Sequence, residues 1–167
     1  MNEAPPVLAR IRELLRAAGI APREIRHAPT RTSEESARAR GEPLEVGGKA
    51  LLLRVDDAYG LYVLSAALRL DSAAILQRHG ARRSRFATPA ELAQLTGLVP
   101  GSVPPFGAPI LPFPLYADAS IAAQPRIAFN AGSLTDSMVI PVPDWLRVAQ
   151  PEVFRFGRAA DAGAAAG

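Results

Sequence analysis

The first apolar stripe of the chain predicts a helix. In PPVLARIRELLRAAGI, apolar residues recur at spacings of three and four, at Val7, Leu8, Ile11, Leu14, Leu15 and Ala18. This is the period of an amphipathic helix. The prolines before the stripe and Gly19 after it are typical helix boundaries. We therefore expect a helix that packs one face against a core.

Two longer apolar segments predict a β-hairpin. They run from Glu45 to Val55 and from Gly60 to Ala66, are rich in Val, Leu and Tyr, and are separated by DDAYG. Strand-forming residues on both sides of a turn-forming segment are typical of two antiparallel strands. The single lysine of the chain, Lys49, then lies on the first of these strands or just before it.

Three further helices are predicted from their N-terminal caps. Thr32 with Glu35, and Thr88 with Glu91, have the spacing of a capping box. Asp71 is a typical N-cap for a helix through the following apolar residues. A glycine ends each of these helices, at Gly41, Gly80 and Gly97.

The remaining segments indicate an α+β protein. Short strands are predicted for EIRHAP, PLYAD, RIAFNAGS, SMVIPV and EVFRF, and a short helix is expected from Asp118. Strands without a regular strand-helix alternation favour a central mixed, largely antiparallel sheet flanked by helices. We expect one domain over residues 1–156, followed by a disordered tail over 157–167.

Composition narrows the class of protein. Of 167 residues, 49% are hydrophobic, with no apolar run near the ~20 residues that span a bilayer and no secretory signal at the start. We expect a cytoplasmic protein without a membrane partner. The net charge of +3 fits an anionic partner weakly, and the arginines at 78, 82, 83 and 85 either meet phosphates or form an ordinary solvated surface.

Several catalytic classes are excluded. The chain has no cysteine, no Gly-x-Ser-x-Gly, no His-Glu-x-x-His and no Walker loop. Its two histidines, His27 and His79, are too far apart in sequence to predict a metal site. His79 is expected at a helix C-terminus, a structural position. For His27 a hydrogen-bonded structural role and an acid/base role both stay open.

Two features remain as candidate chemistry. Lys49 is the only lysine among nineteen Lys and Arg residues, and a lysine is a compact charge whose pKa responds to burial. The loop Gly101-Ser-Val-Pro-Pro-Phe-Gly107 combines glycines, which let backbone N–H groups approach a ligand, with stiffening prolines. The alternatives are a surface lysine and a simple tight turn.

The order of several segments resembles a known family. HAPTRTSEESA, GGKALLL, LYVLSAALRLD, ATPAELAQLTGLVPGSVPPFG and LYADASI, in this order and spacing, are similar to the YbaK/prolyl-tRNA-synthetase editing-domain family. The resemblance covers Ile20 to Arg147. Its most specific parts are Lys49 and the Gly-x-x-x-Pro loop from Gly101 to Pro105.

The resemblance implies an enzyme. Family members hydrolyse the ester that joins a wrong amino acid to the 3′ end of a tRNA, on a largely antiparallel mixed α/β fold. It implies that Lys49 contacts or orients the terminal nucleotide and that the glycine-proline loop positions the ester. No metal or organic cofactor is implied. Water beside a carbonyl polarised by backbone N–H groups would supply the nucleophile.

The expected site follows from this resemblance and from the residues. The catalytic candidates are Lys49, Gly101 and Pro105. The substrate-binding candidates are His27, Thr30, Thr32, Ser102, Val103, Phe106, Gly107, Asp118, Gly132 and Ser133. For Asp118 a helix-capping role is the alternative. Some relatives have a histidine in the segment that here reads AGSLTDSMV, so the role of that histidine has no counterpart.

The sequence therefore predicts a stand-alone aminoacyl-tRNA deacylase that acts in trans on tRNA carrying Ala, Ser, Thr or Cys. The expected partners are the 3′ acceptor end of the charged tRNA and a synthetase, with no DNA partner. The alternative is a regulatory module of the same fold that binds an amino acid or a synthetase without hydrolysis.

Overall fold

The structure is a computed structural model and describes residues 6–159. The helices are α1 (Val7–Ala17), α2 (Ser33–Arg40), α3 (Ser72–His79), α4 (Pro89–Thr96), α5 (Ala119–Ala122) and α6 (Val142–Ala149). The strands are β1 (Arg23–Arg26), β2 (Gly48–Val55), β3 (Ala58–Ser65), β4 (Arg69–Leu70), β5 (Ser84–Phe86), β6 (Leu115–Asp118), β7 (Arg126–Asn130), β8 (Asp136–Pro141), β9 (Glu152–Phe154) and β10 (Gly157–Arg158).

The strands form a five-stranded mixed sheet and two smaller antiparallel sheets. The strand order is β5-β2-β3-β6-β9 in the large sheet, β1-β8-β7 in the second and β10-β4 in the third. In the large sheet, β2 pairs antiparallel with β3 and β5, whereas β6 pairs parallel with β3 and β9. The predicted α+β class with a central mixed sheet is confirmed, and the strand pairs of the two smaller sheets are antiparallel.

The predicted hairpin is β2 and β3. Its register pairs Gly48 with Ser65 at one end and Val55 with Ala58 at the other, around a two-residue turn. Asp56 adopts a positive φ in that turn, and its carboxylate accepts the backbone N–H groups of Arg82 and Arg83 at 3.0 Å each. These contacts attach the turn to the segment that leads into β5.

Both faces of the hairpin are buried, which explains its nearly continuous apolar sequence. Leu61 and Val63 point into the main core, with α1, α4, α6 and the β7-β8 pair. Tyr62 and Leu64 point to the opposite face, where α3 and Phe156 cover them. The start of β2 is therefore held from both sides.

The helix caps agree with the predictions. Thr32 accepts the N–H of Glu35 at 3.1 Å, Thr88 and Glu91 form a complete capping box, and Asp71 caps α3. Gly41, Gly80 and Gly97 each follow a helix in the left-handed conformation. These side chains satisfy backbone groups that a helix end leaves without partners.

The sequence analysis missed one helix and placed one boundary wrongly. α6 was not predicted, although Pro143 near its start and buried Trp145 in its apolar face are helix signals. Gly157 and Arg158, placed in the disordered tail, pair with β4 as β10. The rest of the predicted tail from residue 160 lies outside the described residues. Within residues 6–159, no helix has both the length and the apolar character to span a membrane.

The two larger sheets meet at a pair of glycines. Gly47 makes a parallel bridge to Ala128 on β7. A Cβ atom built on Gly48 would lie 2.5 Å from Ile127 Cδ1, and one on Gly47 would lie 3.0 Å from Ala66 Cβ. At Gly48 a side chain would clash with Ile127 of the second sheet, so the close approach of the sheets favours glycine there. At Gly47 the contact is tight but involves Ala66, which follows β3 of the same sheet.

Candidate functional site

A cavity of about 230 Å³ opens at the start of β2, beside the joint between the sheets. The segment before α2 contributes Thr30 and Thr32, α2 contributes Ser36 and Arg40, β2 contributes Lys49, the 101–107 loop contributes Gly101 and Val103, and β7 contributes Asn130. The structure thus brings together the two features that the sequence singled out, Lys49 and the glycine end of the loop.

Lys49 is half-buried at this cavity. Its Nζ donates a 3.0 Å hydrogen bond to the carbonyl oxygen of Leu68. Burial lowers the pKa of Lys49, the positive charge of Arg69 lowers it further, and Glu34 partly opposes both effects. No carboxylate of residues 6–159 forms an ion pair with Lys49. Its ammonium group therefore still has unused hydrogen-bond donors beside the cavity.

Arg40 is a second cation of the cavity and is more deeply buried, with 8% of its surface exposed. Its Nε donates to Ser137 Oγ at 2.9 Å, and its Nη2 donates to Asn130 Oδ1 at 3.0 Å. Both acceptors are neutral. Burial lowers the pKa of Arg40 to about 10, against a smaller opposing effect of Glu42. The guanidinium is held by polar groups without a carboxylate partner.

Asn130 connects Arg40 to the loop. Its Nδ2 donates a 2.6 Å hydrogen bond to the carbonyl oxygen of Gly101, while its Oδ1 also accepts from Ser137 Oγ at 3.1 Å. A second tie joins the same segments, because the N–H of Gly132 donates to the carbonyl oxygen of Ser102 at 3.0 Å. The start of the 101–107 loop is thereby fixed to the end of β7.

Two backbone donors of the loop have no acceptor within residues 6–159. They are the N–H groups of Gly101 and Val103, and both residues line the cavity. Gly101 has a φ of +88°, which glycine adopts without strain. Free N–H groups on a fixed loop can donate to a carbonyl oxygen, including one that gains negative charge during a reaction.

Thr30 and Thr32, two of the predicted substrate-binding residues, line the cavity. Thr30 is buried, and its hydroxyl shares a 2.7 Å hydrogen bond with that of Ser36. Thr32 caps α2 through its own hydroxyl. Together with Ser33, these residues give one wall of the cavity a hydroxyl-rich surface.

His27 is not part of the cavity lining but contacts the polar network behind it. Its Nε2 lies 2.8 Å from Ser137 Oγ, and its Nδ1 lies 2.8 Å from the carbonyl oxygen of Ala28. Ser137 is the residue that also accepts from Arg40. Ser137 therefore lies between His27 and the cavity-lining Arg40.

The rest of the predicted loop is buried behind the cavity. The carbonyl of Pro105 accepts from Trp145 Nε1 at 2.9 Å, and the ring of Phe106 packs edge-to-face on Phe129 with centroids 5.4 Å apart. Ser102 bonds to Val99 within its own turn. A Cβ on Gly107 would lie 2.7 Å from the carbonyl oxygen of Phe113. These residues shape and stiffen the loop without lining the cavity.

Three other candidates also lie outside the cavity lining. Gly132, with a φ of +82°, packs against Val7, and the hydroxyl of Ser133 bonds to Thr135. Asp118 is 1% exposed, and its carboxylate accepts the backbone N–H groups of Ser120, Phe156 and Gly157 at 2.9, 2.5 and 2.6 Å. Asp118 therefore caps α5 and holds the segment before β10, which is the alternative that the sequence left open for it.

The arginine cluster forms a separate surface, which we call the arginine patch. Arg54, Arg82, Arg83 and Arg85 line a shallow cavity of about 650 Å³ with Asp56 and Asp57 at the β2-β3 turn. Lys49 is at the opposite end of β2, about 20 Å away at the rise of a strand. Arg78 lies elsewhere, over the ring of Phe154. The patch and the cavity cannot contact the same nucleotide.

Sequence reasoning missed Arg40, Asn130 and Ser137. A signal for Arg40 was present, because SEESARAR has no apolar stripe although it was predicted to be helical. A helix without an apolar stripe that still packs against the protein must bury polar residues. Ser36 and Arg40, one turn apart, are the two buried residues of α2. Asn130 and Ser137 carried no such signal, since their contacts depend on tertiary structure.

No group of three or more His, Cys, Asp or Glu residues within the described part of the chain could hold a metal ion. The cavity is lined by three cationic side chains, by the residues that carry the free backbone N–H groups, and by hydroxyl groups.

Comparison with known proteins identifies the family of this chain. Residues 27–148 match the family described as the aminoacyl-tRNA editing domain. The multifunctional Ser/Thr-tRNA deacylase ProXp-y of Escherichia coli strain K12 is 36% identical over 162 residues, which cover 90% of this chain and 93% of the deacylase. The proline–tRNA ligase of Shouchella clausii is 35% identical over 101 residues, 60% of this chain but 18% of the ligase.

A solved structure has a similar fold. A protein assigned as a trans-editing enzyme for prolyl-tRNA synthetase superimposes with a TM-score of 0.79 and 25% identity, over 94% of this chain and all of the other. The similarity in fold therefore extends over nearly the whole chain.

Proposed function

The chain belongs to the aminoacyl-tRNA editing domain family, and from this we propose that it is an aminoacyl-tRNA deacylase whose active site is the cavity at Lys49. The reaction is hydrolysis of the ester between a small amino acid and the terminal ribose of a tRNA. We propose that it acts in trans, in the compartment where tRNA is charged. The observation that carries the proposal is that Lys49 and the free N–H groups of Gly101 and Val103 border one cavity.

The proposed reaction needs no protein nucleophile. A water molecule attacks the ester carbonyl carbon, and the N–H groups of Gly101 and Val103 donate to the oxygen that becomes negatively charged. The bond from the carbonyl carbon to the ribose oxygen then breaks, and the proton lost by the water goes to that oxygen. The products are a free amino acid and an uncharged tRNA. A vicinal ribose hydroxyl orients the water.

Lys49 has a separate role in this proposal. Its ammonium group, held by Leu68 O, lies beside the cavity with donors to spare. It neutralises the phosphate next to the terminal nucleoside and so fixes the ribose relative to the loop. Positioning of this kind converts binding energy into rate, because the ester is held where water and the N–H donors meet.

The substrate class follows from cavity size and lining. At about 230 Å³ the cavity is below the ~300–1,000 Å³ of sites that enclose whole ligands, which favours a small acyl group. Thr30, Thr32 and Ser36 line it with hydroxyl groups. The relative from Escherichia coli is a Ser/Thr-tRNA deacylase. We therefore place seryl and threonyl esters first among Ala, Ser, Thr and Cys.

A panel of charged tRNAs tests the proposal. Release of radioactive amino acid is measured from tRNAs carrying Ala, Ser, Thr, Cys or Pro, including tRNA charged by a proline–tRNA ligase. We expect turnover on Ser and Thr, and a loss of about 10- to 100-fold in kcat/KM for Lys49→Ala, the effect of one charge-assisted hydrogen bond. Arg12→Ala, an exposed cation on α1, is the control. Tight binding without turnover would favour a binding module, and normal activity of Lys49→Ala would reject the site.

A further inference from the structure

The cavity has an unbalanced charge. Its lining includes three cationic side chains, Arg31, Arg40 and Lys49, and no carboxylate. A buried charge without a partner is costly, so a site with a buried Arg40 and a half-buried Lys49, neither paired with a carboxylate, suits a ligand that brings the opposite charge. The charge of this cavity therefore indicates an anionic group in the substrate.

Glu42, whose charge raises the pKa of Arg40, is already engaged by other arginines. Glu42 contacts Arg23 at 2.5 Å and Arg126 at 2.8 Å, and only 7% of its side chain is exposed. Its effect on Arg40 is the smaller opposing influence described above. Glu34 plays the same limited part for Lys49. Neither carboxylate forms an ion pair with a cavity cation within residues 6–159.

One nitrogen of Arg40 is left for a ligand. Nε donates to Ser137 and Nη2 donates to Asn130, whereas Nη1 has no acceptor within residues 6–159. Nη1 is also not one of the unpaired polar atoms that are fully enclosed in this part of the chain. A Cβ built on Gly47, which also lines the cavity, would lie 3.7 Å from Nη1. The two occupied nitrogens fix the guanidinium plane, so Nη1 is held in place at the cavity wall.

We propose that Arg40 and Lys49 together form an anion subsite that binds the phosphodiester group next to the terminal nucleoside, with Arg40 Nη1 as a direct ligand. This inference rests on the proposed function for the identity of the substrate. A guanidinium fixed by two hydrogen bonds suits a phosphate oxygen, since little conformational freedom is lost on binding. The carbonyl-bound Lys49 supplies the second charge from the β2 side.

Two small esters separate phosphate binding from a structural role. The seryl ester of adenosine lacks the phosphate, and the seryl ester of adenosine 5′-monophosphate carries it. We expect wild type to hydrolyse the phosphate-bearing ester with a kcat/KM about 10- to 100-fold higher. In Arg40→Gln this advantage shrinks by about tenfold or more, while hydrolysis of the adenosine ester changes much less. Arg40→Lys, which keeps the charge but loses the fork, falls between the two.

Arg38→Gln is the matched control, because it removes one positive charge from the same turn of α2 at an exposed position. It should keep the full phosphate advantage. Urea unfolding of each variant identifies loss of fold. An equal loss on both esters in Arg40→Gln would mean that Arg40 only positions the loop, and this would overturn the proposal. So would an unchanged ratio, or a wild type without preference for the phosphate.

Binding of adenosine 5′-monophosphate tests the subsite without turnover. The nucleotide is titrated into wild type and the Arg40 and Arg38 variants, and the single lysine side-chain NMR signal is followed. We expect saturable binding that weakens in Arg40→Gln and not in Arg38→Gln. If charged tRNA is not hydrolysed but this pattern holds, the deacylase proposal fails and the subsite stands. If hydrolysis occurs but the nucleotide binds equally to all variants, the subsite fails alone.

Discussion

The side chain of Asn130 donates a 2.6 Å hydrogen bond to the carbonyl oxygen of Gly101. Asn130 is 9% exposed and is held on its other side by Arg40 and Ser137. The position of the loop that carries the free N–H groups thus depends on a side chain of β7. Loop and strand behave as one unit as long as this amide is intact.

Asn130→Ala should lower kcat for deacylation by about tenfold. The N–H donors would be misplaced rather than removed, so the loss should be at the lower end of what such donors contribute. KM should change less, because the tether acts on the transition state rather than on the nucleotide. Gln94→Ala, an exposed amide on α4, is the control. A raised KM with unchanged kcat would contradict a role of the tether in positioning the N–H donors.

The pKa of Lys49 can be measured directly, since ¹³C-lysine labelling gives one side-chain signal. We expect a midpoint below 10.5, because burial and then Arg69 lower the pKa of Lys49. Glu34→Gln should lower it further, as Glu34 opposes these effects. Glu13→Gln, at an exposed pair with Arg16, should not. A midpoint at or above 10.5 would show that Lys49 is solvated.

The same shift has a consequence for stability. Between the folded-state pKa of Lys49 and 10.5, the unfolded chain binds more protons at this group than the folded protein does. The contribution of Lys49 to the free energy of unfolding therefore rises with pH across that window. At neutral pH, where both states are protonated, its burial costs stability, so Lys49→Met should unfold at a higher urea concentration than wild type.

Gly48→Ala should destabilise the protein by about 1–3 kcal/mol, the usual cost of forcing a methyl group into a packed core. The new Cβ would lie 2.5 Å from Ile127 Cδ1. The new Cβ would also lie 2.7 Å from Ile127 Cγ1, and Ile127→Ala removes both atoms, so the double variant should lose less stability than the sum of the two single changes. Urea unfolding of the four proteins measures this coupling. Strict additivity would mean that the sheets can separate at this point without strain.

Asp118→Asn should lower stability by about 1–3 kcal/mol at pH 7 without affecting catalysis, because one of its backbone donors would face an amide N–H. Burial raises the pKa of Asp118, but its hydrogen bonds to Ser120, Phe156 and Gly157 outweigh that effect and lower the pKa below 3.8. Its contribution is complete above 3.8 and is lost as the pH falls through the folded-state pKa. Asp57→Asn, with a fully exposed side chain, is the control. Acid unfolding curves of equal steepness for Asp118→Asn and wild type would contradict this.

The arginine patch should affect tRNA and not small esters. Arg82→Gln combined with Arg83→Gln is expected to weaken tRNA binding. The slope of log K against log salt concentration should become shallower by about 1.5 to 2, because two phosphate contacts are lost. Hydrolysis of seryl adenosine should be unchanged, since the patch is about 20 Å from Lys49 by strand rise. Arg12→Gln with Arg16→Gln removes equal charge from α1 as a control. Equal slopes for both double variants and wild type would assign the patch to ordinary surface.

The sequence was informative where local rules decide the structure. Caps such as Thr88 with Glu91, and the β2-β3 hairpin around its short turn, depend on residues close in the chain. The parallel pairing of β3 with β6 joins residues more than fifty positions apart and left no local trace. α6 was missed because SMVIPV was assigned to a strand that continues directly into the helix.

The candidate site was predicted from a few residues that stand out in the sequence rather than from a recognisable set of catalytic side chains. Lys49 and Gly101 were identified by uniqueness, by backbone freedom and by the family resemblance, and the structure places both at one cavity. Pro105, Phe106 and Gly107 share the loop sequence but turn into the core. Arg40 was hidden among eighteen arginines. What distinguishes it is burial against Asn130 and Ser137, which only the packed structure defines.

The backbone bridge between Gly47 and Ala128 also limits how this scaffold can diversify. One side of the cavity is lined by Gly47 and Gly48, and a Cβ on Gly48 would clash with Ile127, so a substitution there costs stability before it changes specificity. Changes in acyl specificity are therefore expected to come from the hydroxyl-rich wall, at Thr30, Thr32 and Ser36. A saturation library restricted to those three codons should therefore yield more altered specificities than one spread over the start of β2.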